Sequence, residues 1–144
     1  MFQRILLPVD GSTGSETAIP YALGIAKLTD AEVIVCQVIT SPVTPNSAVE
    51  EHEAAEYVSW VAERFREAGV AVKTLVRRGN APQEIRKAAI DWNVDAVCMA
   101  THARRPLDKL MLGSVADVVV RESHLPVLLV SQQKAKQSKR KKVA

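Results

Sequence analysis

Short apolar runs alternate with longer amphipathic stretches along the whole chain. Arg4-Ile-Leu-Leu-Pro-Val9 reads as a buried strand, and Asp10-Gly-Ser-Thr-Gly14 as the turn after it. Thr13 and Glu16 have capping-box spacing, so a helix is expected from here to about Leu28, with Pro20 kinking it or delaying its regular start. Glu32 to Thr40 is a second strand, apolar almost without interruption, and continuous apolarity means cover on both faces. A loop from Ser41 to Asn46 contains Pro42 and Pro45. Ser47 and Glu50 repeat the capping-box spacing and open a long helix that ends before Gly69. Its first turns carry Glu50, Glu51, Glu53 and Glu56, which suits the helix dipole and a solvated face.

The second half repeats the pattern. Val70 to Arg77 is a third strand, Gly79-Asn80 a turn, and a helix is expected from near Pro82 to Trp92-Asn93. Asp95 to Thr101 is a fourth strand. Gly113-Ser114 opens a fourth helix with Ser114 as N-cap and Asp117 in its first turn, and Pro126 to Ser131 is a fifth strand. Strict alternation of strand and helix implies right-handed crossovers, hence a parallel sheet with helices on both faces. The expected fold is a single doubly wound, Rossmann-like α/β domain over residues 1–133. Its sheet has five parallel strands in the order 3-2-1-4-5. Ligands of such sheets bind beyond the carboxyl ends of the strands at the switch point, here between strands one and four.

Composition narrows the class. Of 144 residues, 47% are hydrophobic and only 4% aromatic, so the core must be aliphatic. No apolar run reaches the roughly 18 residues needed to cross a bilayer. The N-terminus leads straight into a strand with no cleavage-site pattern, so no signal peptide is expected. Cys36 and Cys98 fall inside apolar strands and are expected to be buried thiols, in keeping with a cytoplasmic setting. The net charge of +3 hides an asymmetry: Lys134, Lys136, Lys139, Arg140, Lys141 and Lys142 follow the body without one acid, so removing those six leaves residues 1–133 at −3. Residues 134–144 are expected to be a disordered basic tail that keeps the chain soluble or makes non-specific contact with a polyanion. It has no base-stacking aromatics, which argues against sequence-specific reading of nucleic acid.

Two segments carry the candidate chemistry: Pro8-Val-Asp-Gly-Ser12, leaving the first strand, and Ala100 to Ser114, leaving the fourth. Gly113-Ser114 at a helix start offers free N–H groups and a hydroxyl to an anion, or serves only as a cap. Asp10 is a turn residue, a hydrogen-bond acceptor for a ribose, or a metal ligand. Arg104 and Arg105 add charge beside a phosphate or are merely solvated. His102 is a loop residue or a base. There is no GxxxxGK[ST] and no GxGxxG, and the aspartate and lysine of a phospho-acceptor receiver are missing from the third and fifth strand ends.

Ile5-Leu-Leu-Pro-Val-Asp-Gly-Ser12, Val33 to Ile39, Gly79-Asn-Ala-Pro82, Met99 to Ser114 and Leu125-Pro-Val-Leu-Leu-Val130, in this order and spacing, resemble the universal stress protein family over residues 3–131. ATP-binding members carry Gly, two residues, Gly, nine residues, then Gly and Ser or Thr. Here the first two glycines are Ala100 and Ala103, and the last pair is kept as Gly113 and Ser114. An alanine forced into a left-handed conformation costs on the order of 1 kcal/mol, so weakened binding follows rather than abolition. The resemblance implies ATP, with magnesium accompanying it. Pro8, Asp10 and Val38 would line the adenosine site, Met99 and Ala100 would lie against base and ribose, and Ala103, Gly113 and Ser114 would contact phosphate. It also implies a cytoplasmic stress-response protein without efficient catalysis, a homodimer through the edge formed by residues 127–131. The alternatives are a dimeric interaction module that binds no nucleotide, and a slow ATPase using Asp10 or His102.

Overall fold

The computed structural model describes residues 2–101 and 114–132. His102, Ala103, Arg104, Arg105 and Gly113, together with the basic tail, lie outside the described residues. The strands are β1 (Arg4–Val9), β2 (Glu32–Ile39), β3 (Val72–Arg78), β4 (Ala96–Thr101) and β5 (Val127–Ser131). The helices are α1 (Ile19–Thr29), α2 (Ser47–Glu67), α3 (Ala81–Asp91) and α4 (Ser114–Glu122). All pairings are parallel, and the sheet order is β3-β2-β1-β4-β5.

β1 lies at the centre, which is why its run is apolar on both sides. Ile5, Leu7 and Val9 point into one core with Val33, Val35, Val58, Val61 and Phe65, beneath α1 and α2. Leu6 points into the other with Ile34, Cys36, Ile85, Val97 and Val119, beneath α3 and α4. Both cores are built almost wholly from aliphatic side chains. Cys36 and Cys98 are free and buried, one in each.

Helix starts depart from the capping-box readings. After Gly14 the chain forms a 3-10 turn, Ser15–Ala18, before α1 begins at Ile19 with Pro20 in its first turn. Pro20 has no N–H to give, so it is accommodated where helical N–H groups have no partner anyway. Thr13 serves as a backbone acceptor for Glu16 N–H, not as a side-chain cap. At α2 the N-cap is Asn46, and Ser47 is the first helical residue, its hydroxyl instead accepting Thr44 N–H at 2.8 Å. α3 is capped by Asn80, whose side chain accepts Gln83 N–H at 3.1 Å. Ser114 is likewise inside α4 and not before it.

Pro8 explains where the sheet opens. Gln3 O accepts Glu32 N–H from β2, so odd-numbered backbone groups of β1 face β2 and even-numbered ones face β4. Pro8 therefore meets β4 with no N–H to donate. The β1–β4 ladder runs only through Ile5–Ala96 and Leu6–Val97, whereas β1 pairs with β2 as far as Val9–Gln37. A gap opens between the carboxyl ends of the two central strands.

Candidate functional site

Two adjoining chambers lie at this end of the sheet, an inner one in that gap and an outer one beyond the end of β2, against α2. The inner one, about 90 Å³, is lined by Pro8, Val9, Asp10, Ser15, Cys36, Val38, Ala81, Ile85, Met99, Ala100, Val115, Ala116 and Gln132. The outer one, about 580 Å³, falls in the roughly 300–1,000 Å³ range of small-molecule sites and is lined by Asp10, Gly11, Gln37, Val38, Thr40, Ser41, Glu50, Glu53 and Tyr57 among others. Asp10, Val38, Ala81 and Val115 belong to both. Of the expected site residues, Pro8, Asp10, Val38, Met99 and Ala100 thus surround one crevice. Residues 115 and 116, at the start of α4, share its wall. Ser114 begins that helix, and Ala103 and Gly113 lie outside the described residues.

Asp10 sits where β1 ends. Its Oδ1 accepts Ser12 N–H at 2.9 Å and the Ser12 hydroxyl at 2.5 Å, and its own N–H donates to Ser15 Oγ at 3.2 Å. Ser15 in turn donates its hydroxyl to Ser12 O at 2.9 Å. The turn needs Gly11, whose φ of +85° is a conformation that a side chain disfavours. Below this turn, the Tyr57 hydroxyl donates to Glu16 at 2.7 Å, and burial together with that carboxylate pushes its pKa up. The β2–α2 side of the crevice is fixed by Ser41, which donates its hydroxyl to Glu50 at 2.5 Å. That bond, with help from Arg78, holds the Glu50 carboxyl below its usual pKa. Burial raises the Cys36 thiol to about 12, so the sulfur in the inner wall is an inert apolar surface at neutral pH.

The two chambers differ in chemistry. The inner walls are apolar, with Asp10, Ser15 and Gln132 as polar exceptions. The outer chamber presents the carboxylates of Asp10, Glu50 and Glu53. No lysine or arginine among the described residues lines either. Two residues of these walls carry a buried side-chain atom without a hydrogen-bond partner among the described residues: Gln37, its amide oxygen, in the outer wall, and Gln132, its amide nitrogen, in the inner. Gln132 reaches its position across Gly14, where a Cβ would have no room.

Sequence reasoning missed Gln37, Ser15, Ala81 and Gln132. Ala81 was within reach, since the Gly79-Asn80 turn is a third strand-to-helix junction on the same end of the sheet. Gln132 carried no signal, because only the fold brings the end of β5 over the first turn. A second groove, about 340 Å³, lies between α3 and α4 on an apolar floor of Ile85, Ala89, Val94, Val97 and Val119. It touches neither the Asp10 turn nor the start of α4 and, among the described residues, has no buried unpaired polar side-chain atom.

A doubly wound parallel sheet with a ligand-sized crevice at its switch point is the architecture of a small-ligand-binding α/β domain. The chain belongs to the universal stress protein family, whose model matches residues 1–131. A universal stress protein of Methanocaldococcus jannaschii is 32% identical, the match covering 93% of this chain and 85% of the relative. A solved structure of another protein of that organism, also a universal stress protein, superimposes with a TM-score of 0.75 at 30% identity, covering 91% of this chain and 96% of that one. The fold is shared further with the universal stress protein of Archaeoglobus fulgidus in complex with dAMP (TM-score 0.67, 22% identity, 90% and 97% of the two chains). It is shared too with a universal stress protein in complex with cAMP (0.75, 21%, 90% and 97%).

Proposed function

We propose that this chain is a cytoplasmic stress-response protein that binds an adenine nucleotide, ATP, at the carboxyl ends of β1 and β4, and does not turn it over efficiently. The observation that carries the reading is the crevice itself: Pro8, Asp10, Val38, Met99 and Ala100, on or just beyond three different strands, line one space. The relatives bound to dAMP and cAMP support the ligand class. Electrostatics orient the ligand. Carboxylates in the outer chamber repel a polyphosphate and attract hydrogen-bond donors, so the base and ribose fit against Val38 and Asp10. The phosphates then extend toward the start of α4, whose free N–H groups and positive dipole end favour anions. By the family resemblance, Ala103, Gly113 and Ser114 would contact the phosphates, with magnesium accompanying them.

Mass spectrometry of the nucleotide that co-purifies, followed by calorimetric titration with ATP and magnesium, tests the reading. Saturable one-to-one binding is expected, and its absence would remove the proposal in favour of a dimeric interaction module. Phosphate release well above background, lost in Asp10→Ala, would make the protein an ATPase instead.

The second element of the proposal is a homodimer through β5. The two sheet edges are unlike. β3 carries Lys73, Arg77 and Arg78, while β5, Val-Leu-Leu-Val-Ser, carries no charge and leaves Leu128 40% exposed. An uncharged apolar edge needs cover. Val97 N–H bonds to Pro126 O, so the even-numbered backbone groups of β5 face β4, and Val127, Leu129 and Ser131 face outward. Leu129→Pro therefore removes a donor from the free edge and leaves the ladder to β4 intact. It is expected to convert dimer to monomer in light scattering, while near-native helix content is kept in circular dichroism. A dimer of unchanged mass would move the contact elsewhere.

A further inference from the structure

The crevice has one wall that does not belong to the sheet. Thr40 and Ser41, with Glu50, Glu53 and Tyr57 of α2, enclose the outer chamber from the side of the 41–46 loop. The loop's own hydrogen bonds are local: Asn46 N–H to Thr44 Oγ1 at 3.1 Å, Thr44 N–H to Ser47 Oγ at 2.8 Å and Ser47 N–H to Thr44 O at 3.0 Å. These shape the loop without placing it.

What places it is a side chain that lines neither chamber. Arg77 and Arg78 are consecutive on β3 and so leave opposite faces of the sheet. Arg77 goes to α3, with Nε 2.9 Å from Glu84 and Nη1 3.1 Å from Asp91. Arg78 goes the other way. Its Nη1 donates to Ser41 O at 2.7 Å and to Ser41 Oγ at 3.3 Å; its Nη2 donates to Ser47 O at 3.5 Å and to Glu50 Oε1 at 3.3 Å. Ser41 closes the ring with its bond to the other Glu50 oxygen. The Arg78 side chain is only 15% exposed. One guanidinium thus pins the start of the loop and the first turn of α2 to the edge strand. The contacts leave two nitrogens of a planar fork, an arrangement a lysine cannot reproduce.

We propose that Arg78 is a positioning residue of the nucleotide site, holding the Ser41–Glu50 wall in its binding geometry without touching the ligand. The proposal rests on the nucleotide-binding reading above. A wall released from the sheet must be ordered at the moment of binding, and that ordering comes out of the affinity. The wall encloses the base and ribose end, so adenosine and ATP should weaken together.

Full-length wild type, Arg78→Met, Arg78→Lys and Arg4→Met are titrated with ATP and with adenosine. Thermal unfolding and amide exchange over residues 40–46 are measured alongside. Arg4 is the control, since its pair with Glu32 at 3.2 Å lies at the other end of the sheet. Arg78→Met should weaken both ligands by about tenfold and abolish protection in the loop, with Arg78→Lys between it and wild type. Arg4→Met should bind as wild type does. Wild-type affinity in Arg78→Met, an equal loss in Arg4→Met, or a loss confined to ATP would each overturn the proposal and leave the nucleotide site standing. Wild type binding neither ligand would overturn both. Should Arg78→Met not fold, Arg78→Lys decides, and wild-type affinity there overturns the proposal.

Discussion

Phe65→Ala is expected to destabilise the protein by about 3–5 kcal/mol, a large share of the 5–15 kcal/mol typical of a domain. Only two phenylalanines occur in the chain. Phe65 is fully buried at the end of α2, in the core with Val33, Val35, Val58, Val61 and Val70. Its neighbours are short and branched, Val33 and Val35 held in β2 and Val58 and Val61 in α2 itself, so they refill little of the space a ring leaves. Urea denaturation measures the effect as a fall in midpoint at unchanged slope. A loss under about 1.5 kcal/mol, the cost of a far smaller truncation, would mean that α2 re-seats itself against the sheet.

The second large effect falls on function. Asp10→Ala should lower ATP affinity about ten- to hundredfold, since a hydrogen bond to a charged group contributes about 1.5–3 kcal/mol. Asp10 lies one residue beyond the last paired position of β1, lines both chambers, and is the residue around which the Ser12–Ser15 turn folds. Two contributions are therefore removed at once: an acceptor in the crevice and the order of the turn. Calorimetry reads the sum, and Asp10→Asn separates them, because the amide oxygen can still accept from Ser12. Undiminished affinity in Asp10→Ala would place the ligand away from β1.

Much of this was legible from the chain. Apolar runs without alternation identified strands covered on both faces, and their alternation with helices fixed the parallel order 3-2-1-4-5. From that order the crevice between β1 and β4 followed, and the family resemblance supplied Pro8, Asp10, Val38, Met99 and Ala100, which line it. What misled was local. Thr13 and Ser47 have the spacing of capping boxes, but a 3-10 turn precedes α1, and Asn46 takes the cap of α2. Spacing alone does not place the first helical residue, and no side-chain cap bond forms at either of these starts. What was hidden is what depends on distant segments meeting. Gln132 comes to Gly14 and Arg78 to Ser41 only because the sheet brings β5 beside β4 and β3 beside β2. The role of Pro8 in ending the β1–β4 ladder needed the register, which a proline in an apolar run does not reveal.

The unequal borders of the sheet also limit how these molecules can aggregate. Lys73, Arg77 and Arg78 on β3 are tied to Glu32, to Glu84 and Asp91, and to Glu50, and a strand docking along that border would have to disturb these pairs. Runaway cross-β stacking needs two receptive borders per molecule, one to accept a neighbour and one to pass the pattern on. In the dimer proposed above the one receptive border, β5, is used up, so strand-to-strand growth would end at a closed pair instead of a fibre.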